Sequence, residues 1–358
     1  MSAQPMTIAG LGMISCLGSG AEANAAAMRC GYDGFQETAF HQPYSAEPQL
    51  GAPVALEGDA QNLRGIARLA RMSQIVIQQA TEALSTDYQN LPVIFCLQDQ
   101  DRPGVMAADP APNELYRHLC AALSLDAFDS LSCFYRNHRC GFIDALQQAR
   151  KTLYERQRPY VLVIGVDSLL NSAALSYYGG GLYGEGRRLL GEEHANGFIP
   201  GEATVAVLLS TPEHTPSDIM ITGIGTGEET ATLDNADEPL RGNGMAQAIR
   251  NACREAGIAI HDTQYRVSSV SGEEYFFKEA ALSITRALKQ KVPEHQLLHP
   301  ADSIGEVGAA IGGAMVIMDY YALRKGYTPG NRGLHMISND DARRGAYVME
   351  KQESTHGQ

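Results

Sequence analysis

The chain has 358 residues, of which 44% are hydrophobic, and carries 41 acidic against 28 basic side chains, a formal charge of −13. This composition is typical of a globular protein with a large core, and the length suggests two domains or two halves of one fold. The acidic balance disfavours nucleic acids and anionic membranes as partners, because both attract a surplus of Lys and Arg. No apolar run reaches the roughly 18 residues that a membrane span needs.

The first 20 residues lack the basic start and the long apolar stretch of a secretion signal. The seven cysteines are scattered, without a CxxC pair and without a Cys/His group at zinc spacing. We therefore expect a cytoplasmic protein with reduced thiols, no metal ion and no cofactor.

Apolar runs and helical spacing predict strands that alternate with helices along the first part of the chain. In order, the predicted elements are a strand at 6–15, helices at 21–29 and 63–85, a strand at 91–97, a helix at 113–123, a strand at 129–134, a helix at 141–156, and strands at 159–166 and 203–209. Three segments rich in Gly, Pro or charge are predicted to be loops: 32–60, 99–112 and 179–193.

A polar segment with two prolines, 211–217, predicts a linker, and the pattern then starts again. The elements predicted after it are a strand at 218–225, a helix at 244–257, a strand at 266–270, helices at 278–291 and 308–325, and a short strand at 347–349. Both parts open alike, with MTIAGLG from Met6 and IMITGIG from Ile219. We therefore predict an α/β fold of two similar halves, 1–212 and 213–352, with a polar tail at 353–358.

Five blocks of sequence, in chain order, resemble β-ketoacyl synthases of the thiolase superfamily. They are MTIAGLGMISCLGSGAEANAAAMRCG, YVLVIGVDSLL, NGFIPGEATVAVLL, LRGNGMAQAIRNACREAGI and SIGEVGAAIGGAMVIMDYYALRKGYTPGN, and together they span nearly the whole chain. The resemblance implies a five-layer αβαβα sandwich that is normally dimeric. It also implies a family chemistry, in which an acyl thioester condenses with a malonyl-carrier protein and CO2 is released.

The four catalytic side chains of that family are replaced at the matching positions. The nucleophilic Cys, activated by a helix N-terminus, corresponds to His138, and Cys140 follows two residues later. The two His residues that bind the malonyl thioester and stabilise the enolate correspond to Ser271 and Glu306. The family's Lys corresponds to Ala301. This joint loss predicts a ketosynthase-like scaffold without decarboxylative condensation.

Two further regions depart from the family. The sequence NDDARRG at 339–345 replaces the loop that gates the acyl tunnel and supplies an oxyanion donor. The chain is also shorter between 97 and 129, where the family builds part of its dimer contact and acyl tunnel. We therefore expect a non-catalytic partner, as a homodimer or heterodimer. It would be a chain-length-factor-like subunit with an active ketosynthase and an acyl carrier protein in fatty acid or polyketide synthesis, or an adaptor for an effector or spike protein of a type VI secretion cluster.

An enzyme with changed chemistry is the alternative, namely an acyltransferase or acyl-thioester-processing enzyme that uses His138 or Cys140. In that enzyme His138 and Glu306 would form an acid–base pair. The competing interpretation is a buried pair that fills a dead site, with Cys140 as a small core residue. Arg136 and Arg139, beside the same turn, would contact an anion such as the phosphate of phosphopantetheine, or would pair with acidic side chains.

Two charged or Gly-rich segments allow a functional and a structural interpretation. The run YYGGGLY at 177–183, with Arg187 and Arg188 after it, is a gating or docking loop or an ordinary surface loop. A second group is interpreted as a solvated helix start rather than as a carboxylate dyad, and it consists of Glu273, Glu274, Lys278 and Glu279.

Overall fold

The computed structural model describes residues 4–41, 47–84, 90–108, 110–180, 187–191, 194–235 and 237–352. In the first half the elements are β1 (Met6–Ser15), β2 (Gly18–Ser19), α1 (Ala21–Arg29), β3 (Gln36–His41), β4 (Pro48–Gly51), α2 (Gly65–Thr81), β5 (Val93–Cys96), α3 (Ala111–Ala122), β6 (Cys133–Tyr135), α4 (Gly141–Tyr154), β7 (Tyr160–Ser168), α5 (Ser172–Tyr178) and β8 (Glu202–Ser210). The second half consists of β9 (Ile219–Glu228), α6 (Asn243–Ala256), β10 (Tyr265–Ser268), α7 (Glu274–Ala287), β11 (Leu297–Leu298), α8 (Ala301–Ile304), α9 (Ile311–Lys325), β12 (Arg332–Ser338) and β13 (Arg343–Lys351).

One large mixed sheet runs in the order β11-β10-β12-β13-β9-β1-β8-β7-β5-β6, and β2 pairs with β1. In the first half, β8 is antiparallel to β1 and β7, while β5 is parallel to β7 and β6. In the second half, β13 is antiparallel to β9 and β12, while β10 is parallel to β12 and β11. The two half-sheets therefore share one order and one set of directions, and they meet where β1 pairs with β9.

The alternation of side chains along each strand divides the molecule into layers. In β7, Val161 and Val163 face a central core that contains α4 and α9, while Leu162 and Ile164 face an outer core that contains α2 and α3. The strands β12 and β13 alternate in the same way between the central core and an outer core with α6 and α7. The predicted five-layer αβαβα sandwich of two similar halves is confirmed.

Several predicted boundaries need correction. The segment 32–60, predicted to be a loop, contains the two-stranded sheet β3–β4, whose sequence QETAFH in β3 is too polar to signal a strand. Helix α7 begins earlier than predicted, and α5 and β12 were not predicted at all. The apolar run of β12 is interrupted by His335, which is buried and lies 3.2 Å from Asp319. No helix within the described ranges is long and apolar enough to cross a membrane.

Candidate functional site

The turn between β6 and α4 holds His138, which the family resemblance predicts to stand at the nucleophile position. His138 opens a short 3₁₀ turn, His138–Cys140, and α4 follows at Gly141. The backbone φ of His138 is +49°, in the left-handed region that residues with a Cβ rarely occupy. Asn339 clamps the turn from the second half: its Oδ1 accepts from the Cys140 N–H at 2.9 Å and its Nδ2 donates to the Asn137 carbonyl at 3.1 Å. We call this segment, His138–Cys140, the first elbow.

The imidazole of His138 is buried beside the guanidinium group of Arg102. Its Nε2 lies 3.2 Å from Nη1 of Arg102, and Arg102 in turn pairs with the buried carboxylate of Asp167 at 2.5 Å. Since a guanidinium only donates, Nε2 accepts and the neutral ring carries its proton on Nδ1. Burial, reinforced by the charges of Arg139 and Arg102, holds the pKa of His138 well below its ordinary value. The imidazole is therefore neutral, and its Nε2 lone pair is occupied.

Ser271 and Glu306, which the resemblance predicts to replace the family's two histidines, are in direct contact. The Ser271 hydroxyl donates to Glu306 Oε2 at 2.7 Å, and the Gly308 N–H donates to Glu306 Oε1 at 2.8 Å. Glu306 is buried and pairs with Arg139 at 3.0 Å. The predicted acid–base pair of His138 and Glu306 is therefore wrong. Glu306 takes Arg139 instead, because a buried carboxylate needs a permanent positive charge next to it and a neutral imidazole supplies none.

A second arginine extends the network toward the surface. Arg188 makes a bidentate pair with Glu273 at 2.6 and 2.9 Å, and it also contacts Asp340 at 2.7 and 3.0 Å. Asp340 bridges Arg188 to Arg139, which it also pairs with. Burial alone would raise the pKa of Asp340, but the two arginines outweigh it and hold that pKa below the usual carboxyl range. The carboxylate is therefore charged at neutral pH.

The glutamates interpreted as a solvated helix start occupy different environments. Glu273 is 4% exposed and is held by Arg188, while Glu279 is fully buried and pairs with Arg344 at 2.7 Å. The Ser338 hydroxyl donates to the second oxygen of Glu279 at 2.6 Å. Glu274 and Lys278 are exposed at the start of α7, so the interpretation holds for these two residues and is wrong for Glu273 and Glu279.

Cys140 is the last residue of the first elbow. Its Sγ contacts the carbonyl oxygens of Arg343 and Ile337 at 3.4 and 3.6 Å, and the residue is buried. Burial raises the pKa of the thiol to about 12, so the thiol is protonated at neutral pH and is a weak nucleophile. Ala301, which the resemblance predicts to replace the family's Lys, is the first residue of α8 and is buried.

Both arginines predicted as anion contacts are engaged inside the protein. Arg139 is 1% exposed, pairs with two carboxylates and stacks over the ring of Phe276 at 4.7 Å. Arg136 donates to the main-chain carbonyls of Met106 and Ala107 at 2.7 and 3.2 Å. These internal contacts disfavour the predicted phosphate site. Of the predicted gating loop 177–183, residues 181–183 lie outside the described residues, and Tyr178 is buried beneath Arg188.

An open cleft of about 240 Å³ leads from the surface to His138. The floor is formed by His138 and Arg102, and the remaining lining residues are Asp99, Asp101, Tyr177, Tyr178, Asp234, Asn339, Asp340, Asp341 and Arg343. Its lining is acidic, with five aspartates against two arginines. We call this space the acidic cleft.

Four members of the charged network were not predicted from the sequence. They are Arg102, Asp167, Arg188 as an ion-pair partner, and Asp340. Each pairs with residues at least 65 positions away in the chain, as Arg102 does with Asp167. Asp167 falls within a block that resembles the family, YVLVIGVDSLL, so its burial at the end of β7 was foreseeable. Nothing in a single sequence indicates which arginine would reach it.

No protein-family model and no curated protein matches the sequence. Solved structures do match the fold over almost the whole chain. The ishigamide ketosynthase/chain length factor gives a TM-score of 0.78 at 13% identity, covering 98% of this chain and 100% of that chain. A β-ketoacyl synthase from Burkholderia phymatum gives 0.73 at 12% identity, covering 98% of this chain and 100% of that chain. A ketosynthase in complex with its chain length factor, from Xenorhabdus doucetiae, gives 0.74 at 13% identity, covering 97% and 98%. The chain has the thiolase-like ketosynthase fold.

Proposed function

We propose that this protein is a non-catalytic partner subunit with a ketosynthase fold, which pairs with an active ketosynthase in a chain-length-factor-like role. One observation carries the proposal: two groups of buried or half-buried charged side chains surround the positions that the family resemblance assigns to the catalytic residues. In one group Arg102 pairs with Asp167 and hydrogen-bonds to His138. In the other, Arg139 and Arg188 pair with Glu306, Asp340 and Glu273.

The chemistry of the filled site opposes condensation. That reaction needs a nucleophile at the elbow and donors that stabilise a developing enolate oxygen. In this chain the elbow carries a neutral imidazole whose Nε2 is already bound, and Glu306 presents a carboxylate where a donor is required. Both oxygens of Glu306 accept from Ser271, Gly308 or Arg139, so this side chain has no proton to donate to an enolate oxygen.

The acyltransferase alternative is disfavoured by the same geometry. Cys140 faces main-chain carbonyl oxygens, and burial raises the pKa of its thiol to about 12. A nucleophilic thiol needs the opposite environment, with a depressed pKa and access to substrate. His138 lacks a free Nε2 lone pair for attack.

Structural neighbours support a protein partner in a synthase. They include a ketosynthase in complex with its chain length factor, and a type II polyketide synthase acyl-carrier protein in complex with its ketosynthase. We infer that the partner is a ketosynthase of the same organism and that the pair acts in the cytoplasm, where the seven cysteines stay unpaired. An adaptor role toward a secretion effector or spike protein has no comparable support, so it is kept as an outcome of the test.

The test mixes the purified protein with a ketosynthase, an acyl carrier protein and effector or spike proteins from the same genome, each separately. Size-exclusion chromatography with light scattering then measures the mass of any complex. The proposal predicts a stable heterodimer with a ketosynthase. A complex with an effector or spike protein instead would establish the adaptor role, and the absence of a ketosynthase complex would contradict the proposal.

A further inference from the structure

A groove of about 340 Å³ lies in the outer layer of the second half, beside the C-terminal ends of α6 and α7, and we call it the α6–α7 groove. Its lining includes Cys253 and Ala287, which are buried in the outer core, and Ile258 and Ile260, which are half-buried and pack against that core. The groove therefore has an aliphatic floor. Its volume suits a small molecule, because a protein partner needs a larger and flatter surface.

Three positively charged side chains line the same groove. They belong to Arg250, Arg254 and Lys289, which are all exposed. Within the described ranges none of them has an ion-pair partner. Arg250 donates to the main-chain carbonyl of Arg286 at 2.9 Å, and Arg254 donates to Oδ1 of Asn251 at 2.8 Å. Both acceptors are neutral, so three uncompensated positive charges adjoin one aliphatic floor in a chain whose formal charge is −13.

The helix dipole does not account for the whole set of charges. Arg254 lies in the last turn of α6, where the dipole stabilises a cation, but Arg250 lies one turn earlier, where that effect has fallen off. Lys289 belongs to the other side of the groove, two residues after α7 ends. The carboxylate of Asp262 accepts the Ala259 N–H at 2.8 Å, so it is held by the main chain rather than by the three cations.

We propose that the α6–α7 groove binds a small amphiphilic anion, an aliphatic chain that ends in a carboxylate. The chain lies on the aliphatic floor, and the carboxylate pairs with Arg250, Arg254 and Lys289. Arginine suits this role because its guanidinium donates two parallel hydrogen bonds to a carboxylate. A free amphiphile is expected rather than a lipid surface, since an anionic bilayer repels a chain of charge −13. This site goes beyond the proposed partner role and does not depend on which protein the chain pairs with.

The test uses four probes that separate the charge from the chain. Hexanoate has the aliphatic chain and the negative charge, hexanamide has the chain without charge, hexylamine has the chain with a positive charge, and acetate has the negative charge with a single methyl group. Ligand-observed NMR titration of the full chain at low salt gives the dissociation constant of each probe. The proposal predicts that hexanoate binds most tightly, that hexanamide and acetate bind about tenfold more weakly, and that hexylamine binds most weakly.

The groove variant Arg250→Gln/Arg254→Gln/Lys289→Gln locates the binding. The three side chains are exposed, so the fold is expected to persist, and circular dichroism checks it. The affinity for hexanoate should fall about tenfold. If this variant does not fold, the ranking of the four probes on the wild-type protein decides.

A matched control removes the same charge from exposed positions outside the groove, in the variant Lys151→Gln/Arg156→Gln/Lys278→Gln. It should bind hexanoate as the wild-type protein does. An affinity that is unchanged in the groove variant, or that falls equally in the control, overturns the site. Hexanamide or hexylamine binding as tightly as hexanoate overturns the role of the three cations, and acetate binding as tightly overturns the role of the aliphatic floor. A wild-type protein that does not bind hexanoate overturns the proposal as a whole.

Discussion

The two halves of the molecule place the same turn before their central helices and use it differently. The first elbow precedes α4, and a second 3₁₀ turn, Gly308–Ala310, precedes α9 at the equivalent point of the other half. Both turns begin in the left-handed region, with φ of +49° at His138 and +55° at Gly308. Glycine adopts this conformation without steric cost, whereas a histidine there is strained.

The contacts of the two turns explain why the first half retains a strained backbone at His138. The turn Gly308–Ala310, called the second elbow, makes its contacts through the backbone. The Gly308 N–H donates to Glu306 and the Ala309 N–H donates to Asp167. The first elbow makes its contacts mainly through side chains: His138 contacts Arg102, and Arg139 pairs with Glu306. The small residues of one elbow thus hold the carboxylates that neutralise the charges around the other. The comparison teaches that the first half retains the same turn as the second half although a residue with a Cβ stands where the second half has glycine.

Filling the second elbow should have the largest effect. A Cβ at Gly308 would lie 1.9 Å from Oδ2 of Asp167 and would sit at a positive φ. We expect Gly308→Ala to lower the free energy of unfolding by about 4 kcal/mol, because the clash also displaces a buried carboxylate. Gly326→Ala, at φ +71° with nothing within 4 Å, is the matched control and should cost only about 1 kcal/mol. Urea unfolding measures both. Equal losses would mean that Asp167 is free to move away.

Removing the charge that joins the two elbows comes next. Arg139→Met leaves Glu306 and Asp340 without this partner, and we expect a loss of about 3 kcal/mol in the free energy of unfolding. Adding Glu306→Gln should recover part of the loss, because the buried charge is then removed as well. Arg343→Met, whose side chain is 43% exposed, should cost less than about 1 kcal/mol. If the double variant is as unstable as the sum of its single variants, the two residues are not coupled.

The neutral imidazole of the first elbow predicts a pH dependence. The pKa of His138 is well below its ordinary value of 6.5, so below about pH 6.5 the unfolded chain binds the proton that the folded chain refuses. Stability therefore falls as the pH decreases from about 7 to 5. His138→Asn, which tolerates a left-handed backbone, should reduce this slope by up to about 1.4 kcal/mol per pH unit. His118→Asn, exposed on α3, should keep the wild-type slope. An unchanged slope in His138→Asn would show that the imidazole titrates normally.

The smallest effect should come from making the first elbow resemble the second. His138→Gly removes the strained Cβ, whereas His138→Ala keeps it, and both lose the contact with Arg102. We expect the glycine variant to be more stable than the alanine variant by about 1 kcal/mol. Denaturant midpoints of the two variants compare them directly. A more stable alanine variant would place the turn in an ordinary conformation.

The sequence predicts the layered fold because hydrophobic periodicity and Gly positions are local signals. It also locates the first elbow and the positions of Ser271 and Glu306 through ordered blocks that resemble a family. It does not predict the pairing of Arg139 with Glu306, separated by 167 positions, or of Arg188 with Asp340, separated by 152. Such pairs follow from the packing of the two halves. The burial of Glu273 and Glu279 was missed for the same reason, because a charged run at a helix start gives no sign of its partners.

Intact-mass spectrometry of the wild-type protein, after incubation with acyl- and malonyl-carrier protein, tests most directly whether this fold still holds a nucleophile. Cys140→Ser and His138→Ala are measured in parallel. We predict that the mass of all three proteins stays unchanged, because the thiol is buried and protonated and the imidazole is occupied. An acyl adduct on the wild-type protein that disappears in one of the variants would identify a working nucleophile and contradict the non-catalytic role.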